Sequence, residues 1–136
     1  MTVRSLNIPT HDAGRLSATA SIAGEELSLV LGGTAETPEE PHLASVLKRV
    51  HSEAEHQHIR KVNIDVRALR FMTSNCFKHF VAWVRAIGDL PKAERYPIHF
   101  TSNPAVRWQR SSLHALQCFG VDLVSVSEMK AAEGSG

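Results

Sequence analysis

The sequence predicts an α/β fold, a mixed and largely parallel β-sheet with crossover helices and an N-terminal antiparallel hairpin. Three observations carry this reading. Runs of alternating apolar and polar residues recur along the chain, apolar stripes of helical period stand between them, and the first two runs are only a tight turn apart. Residues 16–22 (LSATASI) and 26–31 (ELSLVL) alternate, with Leu27, Leu29 and Leu31 on one face, and Ala23-Gly24 between them suits a hairpin turn. Gly32-Gly33-Thr34 and the following AETPEEP form a loop rich in breakers, after which Pro41 sits where a helix starts. Leu43, Val46, Leu47, Val50 and Ala54 make one helical stripe, opposite Lys48, Arg49, Ser52, Glu53 and Glu55. In KVNIDV, Val62, Ile64 and Val66 alternate with Asn63 and Asp65, which reads as a strand.

Residues 76–88 give a second helix. Cys76, Phe77, Phe80, Val81, Trp83, Val84 and Ile87 fall within a sector of roughly 160°, with Lys78 and Arg85 pointing away and Pro91 ending the segment. YPIHF is a short strand that Pro97 places at the start of a ladder or at an edge. Asn103 as N-cap, Pro104 as first helical residue and Gly120 as the residue past the end delimit a third helix, and VDLVSV is the last strand. The order β-β-α-β-α-β-α-β calls for parallel pairing through helical crossovers.

The 136 residues have the size of one domain, assigned to residues 1–127 with a weakly patterned stretch over 1–14; residues 128–136 read as a disordered tail. A formal net charge of +1 leaves no electrostatic footprint for nucleic acid. No stretch approaches the ~20 apolar residues of a membrane span, and the N-terminus lacks the apolar core of a signal peptide. Cys76 and Cys118, without Cys-x-x-Cys spacing, read as buried thiols of a reducing compartment. The expectation is a cytoplasmic protein.

Between two apolar segments stand three hydrogen-bonding residues, Thr73, Ser74 and Asn75, at a strand-to-helix turn. In a parallel sheet such turns lie at the carboxyl end of the strands, where open α/β folds place their function. Any of the three can cap the helix, for about 1 kcal/mol. One cap is enough, so one or two of these side chains remain for other work.

The pattern Val62-x-Ile64-Asp65, then Phe71-x-x-Ser74, then a hydrophobic helix resembles the STAS domain of bacterial anti-sigma factor antagonists. In that family a strand ends in an Asp-Ser-x-Gly-like turn whose serine is phosphorylated by a partner kinase. Carried over, that serine is Ser74, with Thr73 as a second acceptor. Trp108-Gln109-x-x-Ser112-Leu113-x-x-Leu116 is similar to a motif in the third helix of a bacterial STAS-like subgroup of regulators, and the resemblance spans roughly residues 16–126. Thr73 stands where the family has an acidic or amide residue, Asn75 follows the serine, and Cys76 replaces the usual glycine, which implies a less flexible turn.

The resemblance implies a non-enzymatic regulator of transcription that acts by protein binding. Its unphosphorylated form would bind a kinase-type anti-sigma factor, phosphorylation would release it, and a phosphatase would reset it. ATP belongs to the kinase, and this chain needs no cofactor. The expected docking surface is Thr73, Ser74 and Asn75, the outer side of the following helix (Lys78, His79, Arg85) and the loop carrying Gly33 and Thr34. Self-association is left open. Two other classes stand beside this one: an assembly subunit of a larger complex without a phosphorylation cycle, and a small-molecule binder at the carboxyl end of the sheet, for which no Gly-rich phosphate loop is visible.

Other constellations carry less. His51 and His56 are five residues apart, whereas two metal ligands on one helical face want three or four, so HSEAEHQH reads as a solvated helix end. A nucleophile paired with His79 or His99 lacks any Gly-x-Ser-x-Gly elbow, and a buried Cys76 lacks the exposure of a reactive thiol. Arg107, Arg110, Ser111 and Ser112 beside Trp108 read as a solvated helix face, with a docking patch as the alternative. Asp65 reads as an organiser of its strand end.

Overall fold

The computed structural model describes residues 3–6 and 15–129. Its elements are β1 (Val3–Leu6), β2 (Leu16–Ala23), β3 (Glu26–Ala35), α1 (Glu40–His56), β4 (Lys61–Met72), α2 (Ser74–Gly88), β5 (Ile98–Ser102), α3 (Arg107–Phe119) and β6 (Val124–Glu128). The six strands lie in chain order; β1, β2 and β3 are antiparallel neighbours, and β3 to β6 are parallel. The α/β class, the hairpin and the parallel crossovers are therefore as the sequence predicts. Strand β1 is an addition, in a stretch read as weakly patterned. Residues 7–14 and 130–136 lie outside the described residues, and with them most of the expected tail; Glu128, counted in that tail, instead ends β6.

Because each parallel strand follows its neighbour in one direction, right-handed crossovers bring all three helices to one face. Burial follows: Leu27, Leu29, Val62, Ile64, Ile98 and Phe100 are at most 1 % exposed on the helix side. On the other face Ser28, Asn63, Asp65, His99, Thr101 and Ser125 are half-buried or exposed. The molecule has two layers with one core between them.

The α1 stripe, Leu43 to Ala54, is buried as expected, and Pro41 lies in the first turn. His51, expected on a solvated helix end, instead reaches the buried Tyr96. Trp83 Nε1–H donates to the Tyr96 oxygen at 2.8 Å, and His51 Nδ1 lies 2.5 Å from it on the other side. With the His51 ring proton on Nε2, which faces Glu55 Oε1 at 3.5 Å, the Tyr96 O–H donates to Nδ1. Burial, chiefly, holds the Tyr96 phenol well above its ordinary pKa. Residue 96 thus stitches α1 to α2 ahead of β5 instead of pairing within that strand.

Several boundaries differ from expectation. The hairpin loop is Gly24-Glu25, with Gly24 at φ 63, since Ala23 pairs with Glu26. The third helix begins at Arg107, not Pro104: the Asn103 side chain accepts from Ala105 N at 3.0 Å, closing an Asx turn, and Val106 stands at the N-cap without a side-chain bond. Gly120 caps the helix at φ −121, so left-handed backbone is not its reason; a Cβ there would come within 2.6 Å of Val84 Cγ1.

The largest difference is β4, which runs six residues past Val66. Against β3 it slips twice, between Val30 and Gly32 and between Gly33 and Thr34, so two extra residues enter β4. Gly33, at the second slip, is crowded on its β2 side: at φ +88, a Cβ would lie 1.9 Å from the Arg15 carbonyl oxygen. Gly33→Ala should therefore cost about 2 kcal/mol or more. A urea unfolding series reads this as a lowered midpoint at unchanged slope, and an unchanged midpoint would contradict the strained geometry.

Candidate functional site

The polar turn lies where the parallel strands end. Thr73 has extended backbone (φ −72, ψ 159) and is the N-cap of α2, its Oγ1 accepting from Cys76 N at 3.2 Å. Its own amide donates to Ala35 O at 3.0 Å, tying the turn to the end of β3. Ser74 is the first helical residue and is exposed, as is Asn75. Two adjacent hydroxyls thus have different surroundings: that of Thr73 closes the helix, and that of Ser74 faces solvent beside free helix N–H groups and the positive end of the helix dipole.

Cys76, which the sequence resemblance sets where a glycine is usual, is fully buried, and its thiol donates to Glu36 O at 3.5 Å. Burial pushes the thiol pKa up against the opposing hydrogen bond from Thr73, and the carboxylates of Glu40 and Glu39 add to the rise. This sulfur is structural. Glu39, 3 % exposed, secures the same connection: its carboxylate accepts from Glu36 N at 2.9 Å and from Arg15 N at 3.3 Å.

On the helix, Ser74, Lys78 and Arg85 fall within about 40° of one another and are all exposed, forming one outward stripe. His79 does not join them. It turns to α1, where Nε2 stands 3.0 Å from Glu40 Oε2, at the rim of a groove lined also by Ala44, Leu47 and Ala82. Gly33 and Thr34, expected in a loop, are instead paired strand residues near the end of β3, because Gly33 pairs with both Leu16 and Leu69 and Thr34 with Phe71, a residue 46 % exposed next to the turn. The Thr34 hydroxyl oxygen is buried and has no hydrogen-bond partner among the described residues.

What holds this end in shape comes from the segment between β5 and α3. Pairing between β4 and β5 stops at Asp65 and Thr101, which leaves the following β4 carbonyls without a strand on that side. Gln109, 0 % exposed, takes their place: Nε2 donates to Val66 O at 2.6 Å and Leu69 O at 2.8 Å, and Oε1 accepts from Asn103 N at 2.7 Å. Asn103 Nδ2 donates to Arg67 O at 3.3 Å, and Trp108 Nε1 to Leu69 O at 3.2 Å. Trp108 and Gln109, quoted above for their resemblance to a helix motif, thus support the candidate site from beneath. Arg107 and Arg110 are exposed; Arg110 pairs with Glu128 at 3.0 Å.

Asp65, expected at a strand end, lies in the middle of β4, which runs on to Met72; it accepts from Arg67 N at 3.0 Å and grips the guanidinium at 2.7 Å. Burial alone would raise its pKa; the hydrogen bonds and charge of Arg67 outweigh this and hold it below the usual range. His99 lies on the open sheet face between two β6 hydroxyls, with Nδ1 2.6 Å from Ser125 Oγ and Nε2 3.0 Å from Ser127 Oγ. Burial, with the charge of Lys61, lowers its pKa. Cys118, expected to be buried, is exposed, because the buried stripe of α3 is Gln109, Leu113 and Leu116.

Neither a protein-family model nor a curated protein sequence matches the chain. Among solved structures it is similar to an anti-sigma factor antagonist from Mycobacterium paratuberculosis, with a TM-score of 0.61 over 81 % of this chain and 85 % of that one, at 14 % identity. At that identity the likeness is one of fold, and the fold is the STAS-like one that the sequence resemblance implies. No described helix is long and apolar enough to cross a membrane.

Two stability predictions follow from this geometry. Gln109→Leu strands the Val66 carbonyl and the Asn103 amide, while Leu69 O keeps its bond from Trp108, and should lower the unfolding free energy by about 2–3 kcal/mol, read from urea denaturation; a loss under about 1 kcal/mol would mean that water replaces the amide. Thr73→Ala should cost about 1 kcal/mol through the lost cap, while Ser74→Ala stays near neutral. Equal losses would show that the two hydroxyls share the capping role.

Proposed function

We propose that this chain is a protein-interaction regulator of the anti-sigma factor antagonist type, with Ser74 as its phosphorylation site. The observation that carries the reading is the division of labour at the turn, where Thr73 is engaged as the cap and the adjacent Ser74 hydroxyl stands exposed. Fold likeness to an anti-sigma factor antagonist supports the same class. In this reading a kinase-type anti-sigma factor docks over Thr73, Ser74 and Asn75 and along the stripe of Lys78 and Arg85. Phosphorylation releases it, and a phosphatase restores the binding form. Phe71, part of the sequence pattern but not of the expected docking surface, joins that surface as its exposed apolar member.

The physics of the switch is local. A phosphate adds about −1.5 to −2 charges at a helix N-terminus, where free N–H groups and the dipole favour an anion. The fold is unharmed and the partner meets the charge. A second reading, an assembly subunit without a phosphorylation cycle, draws support from Cys76, whose buried side chain fills the place of the family's glycine and stiffens the turn.

Intact-mass measurement of the protein from its native host separates the two: a phosphate adduct mapping to Ser74 supports the switch, and its absence across growth conditions favours the assembly subunit. With the partner in hand, Ser74→Asp should weaken binding at least tenfold, about 1.4 kcal/mol, while Ser74→Ala preserves it. Equal binding by both variants removes the switch.

A further inference from the structure

The net charge of +1 conceals an uneven distribution. Residues 66–88 and 95–121 contain no Asp or Glu, although together they make up the end of β4, all of α2, β5 and α3. α2 and α3 are packed neighbours, so the acid-free segments share one side of the molecule. Three of their cations are engaged at home: Arg67 with Asp65 at 2.7 Å, Arg110 with Glu128 at 3.0 Å, and Arg95 with the Leu90 carbonyl at 2.9 Å. The others, Arg70, Lys78, Arg85 and Arg107, are exposed and have no ion pair or side-chain hydrogen bond among the described residues.

The acids on the other side of the turn, toward α1, are already occupied. Glu36 pairs with Arg15 at 3.3 Å, Glu39 accepts from the amides of Glu36 and Arg15, and Glu40 faces His79 at 3.0 Å. They leave no counter-charge for the cations beyond. Lys78 and Arg85 share the outward stripe of α2 with Ser74, a ridge about 16 Å long. Arg70 lies near the end of β4, and Arg107 opens α3 beside Trp108, whose indole donates to the carbonyl of Leu69, next to Arg70. The unmatched cations thus border the turn, with exposed Phe71 among them.

We infer that this cationic face docks an acidic surface of a protein partner. The inference rests on the proposed function, which puts a partner over the turn; it adds the sign of the surface that partner presents, and adds Arg70 and Arg107 to the face that meets it. A phosphate on Ser74 repels a partner only where the partner is itself negative. Its charge of about −1.5 to −2 also cancels part of the field that Arg70, Lys78, Arg85 and Arg107 supply. A patch of one sign meeting its opposite steers the encounter and fixes the register. A nucleic acid suits the face less well, because its negative field runs on past the patch and meets the acids of a chain whose net charge is only +1.

The test uses a synthetic helical peptide with glutamates along one face and leucines at their margin, its twin with lysines for the glutamates, and a short duplex DNA as rival polyanion. Binding to the full, unphosphorylated chain is followed by amide NMR shifts and isothermal titration. The acidic peptide should bind and shift the amides from Arg70 to Lys78 and at the start of α3. Lys78→Glu with Arg85→Glu, and separately Arg70→Glu with Arg107→Glu, should each weaken it about tenfold. Arg60→Glu, the same change of charge at the opposite end of β4, should leave binding within about twofold of wild type. All five positions are exposed, and the variants should keep the wild-type urea midpoint. No binding of the acidic peptide, equal binding of the lysine twin, a loss in Arg60→Glu matching the others, or tighter binding of the duplex overturns the inference. A chain phosphorylated at Ser74 in its host that ignores the acidic peptide when unphosphorylated keeps the proposed function and loses this inference. One that binds the peptide and is never phosphorylated keeps the inference and loses the switch.

Discussion

The buried amide of Gln109 is the constraint on which the functional end of this molecule depends. A strand that outruns its neighbour exposes a row of carbonyls, and a buried, unpaired carbonyl costs about 1–3 kcal/mol. β4 outruns β5 at Asp65 and continues to Met72. Gln109 answers for Val66 and Leu69 with one side-chain nitrogen, while its oxygen secures Asn103, whose own side chain answers for Arg67. A hydrocarbon at position 109 would fill the space and satisfy none of these groups, and a carboxylate would offer no hydrogen to the two carbonyls. The fold thus uses a buried primary amide where pattern alone would place a leucine.

The sequence made the regular parts legible and hid the irregular one for a physical reason. Val62 and Ile64 keep period two because β4 pairs on both sides without slippage as far as Asp65, and Val66 is the next buried position. The two extra residues then move the buried positions to Val66, Leu69 and Met72, a spacing of three that imitates a turn or a helix, so the strand seemed to stop. Asn103-Pro104 carries the usual signature of a helix start, yet Asn103 is occupied in closing its own turn and in supporting the bulged strand. Composition misled at Cys118, since a thiol counts as apolar in a periodicity argument and the buried face of α3 is one that includes a glutamine.

The candidate site was legible at a different level. Three polar residues at a strand-to-helix turn were visible, but which hydroxyl caps and which remains exposed follows from backbone geometry. An N-cap residue has extended backbone and sends its oxygen back to the third helical amide, as Thr73 does to Cys76. The next residue is already helical and points outward. Lys78 and Arg85 were placed correctly beside Ser74 because helical period fixes them. His79 was not, because only tertiary contact with Glu40 on α1 shows which way it turns.

These attachments bear on how any signal at the turn must travel. Thr73 is tied to β3 through Ala35, Cys76 is sealed against Glu36, and the strand before them is gripped by Asn103, Trp108 and Gln109. A turn held on three sides must break several of these bonds to adopt a second backbone arrangement, and a conformational switch needs two arrangements of similar energy. Charge added at Ser74 would therefore stay where it is put and be read by whatever surface lies against it. On this argument, the buried Cys76 side chain beneath the turn is compatible with the proposed surface-read signal, which requires no flexibility there. Under the proposed function, specificity would then reside in the exposed neighbours of Ser74, namely Phe71, Lys78 and Arg85, and not in movement of the sheet beneath them.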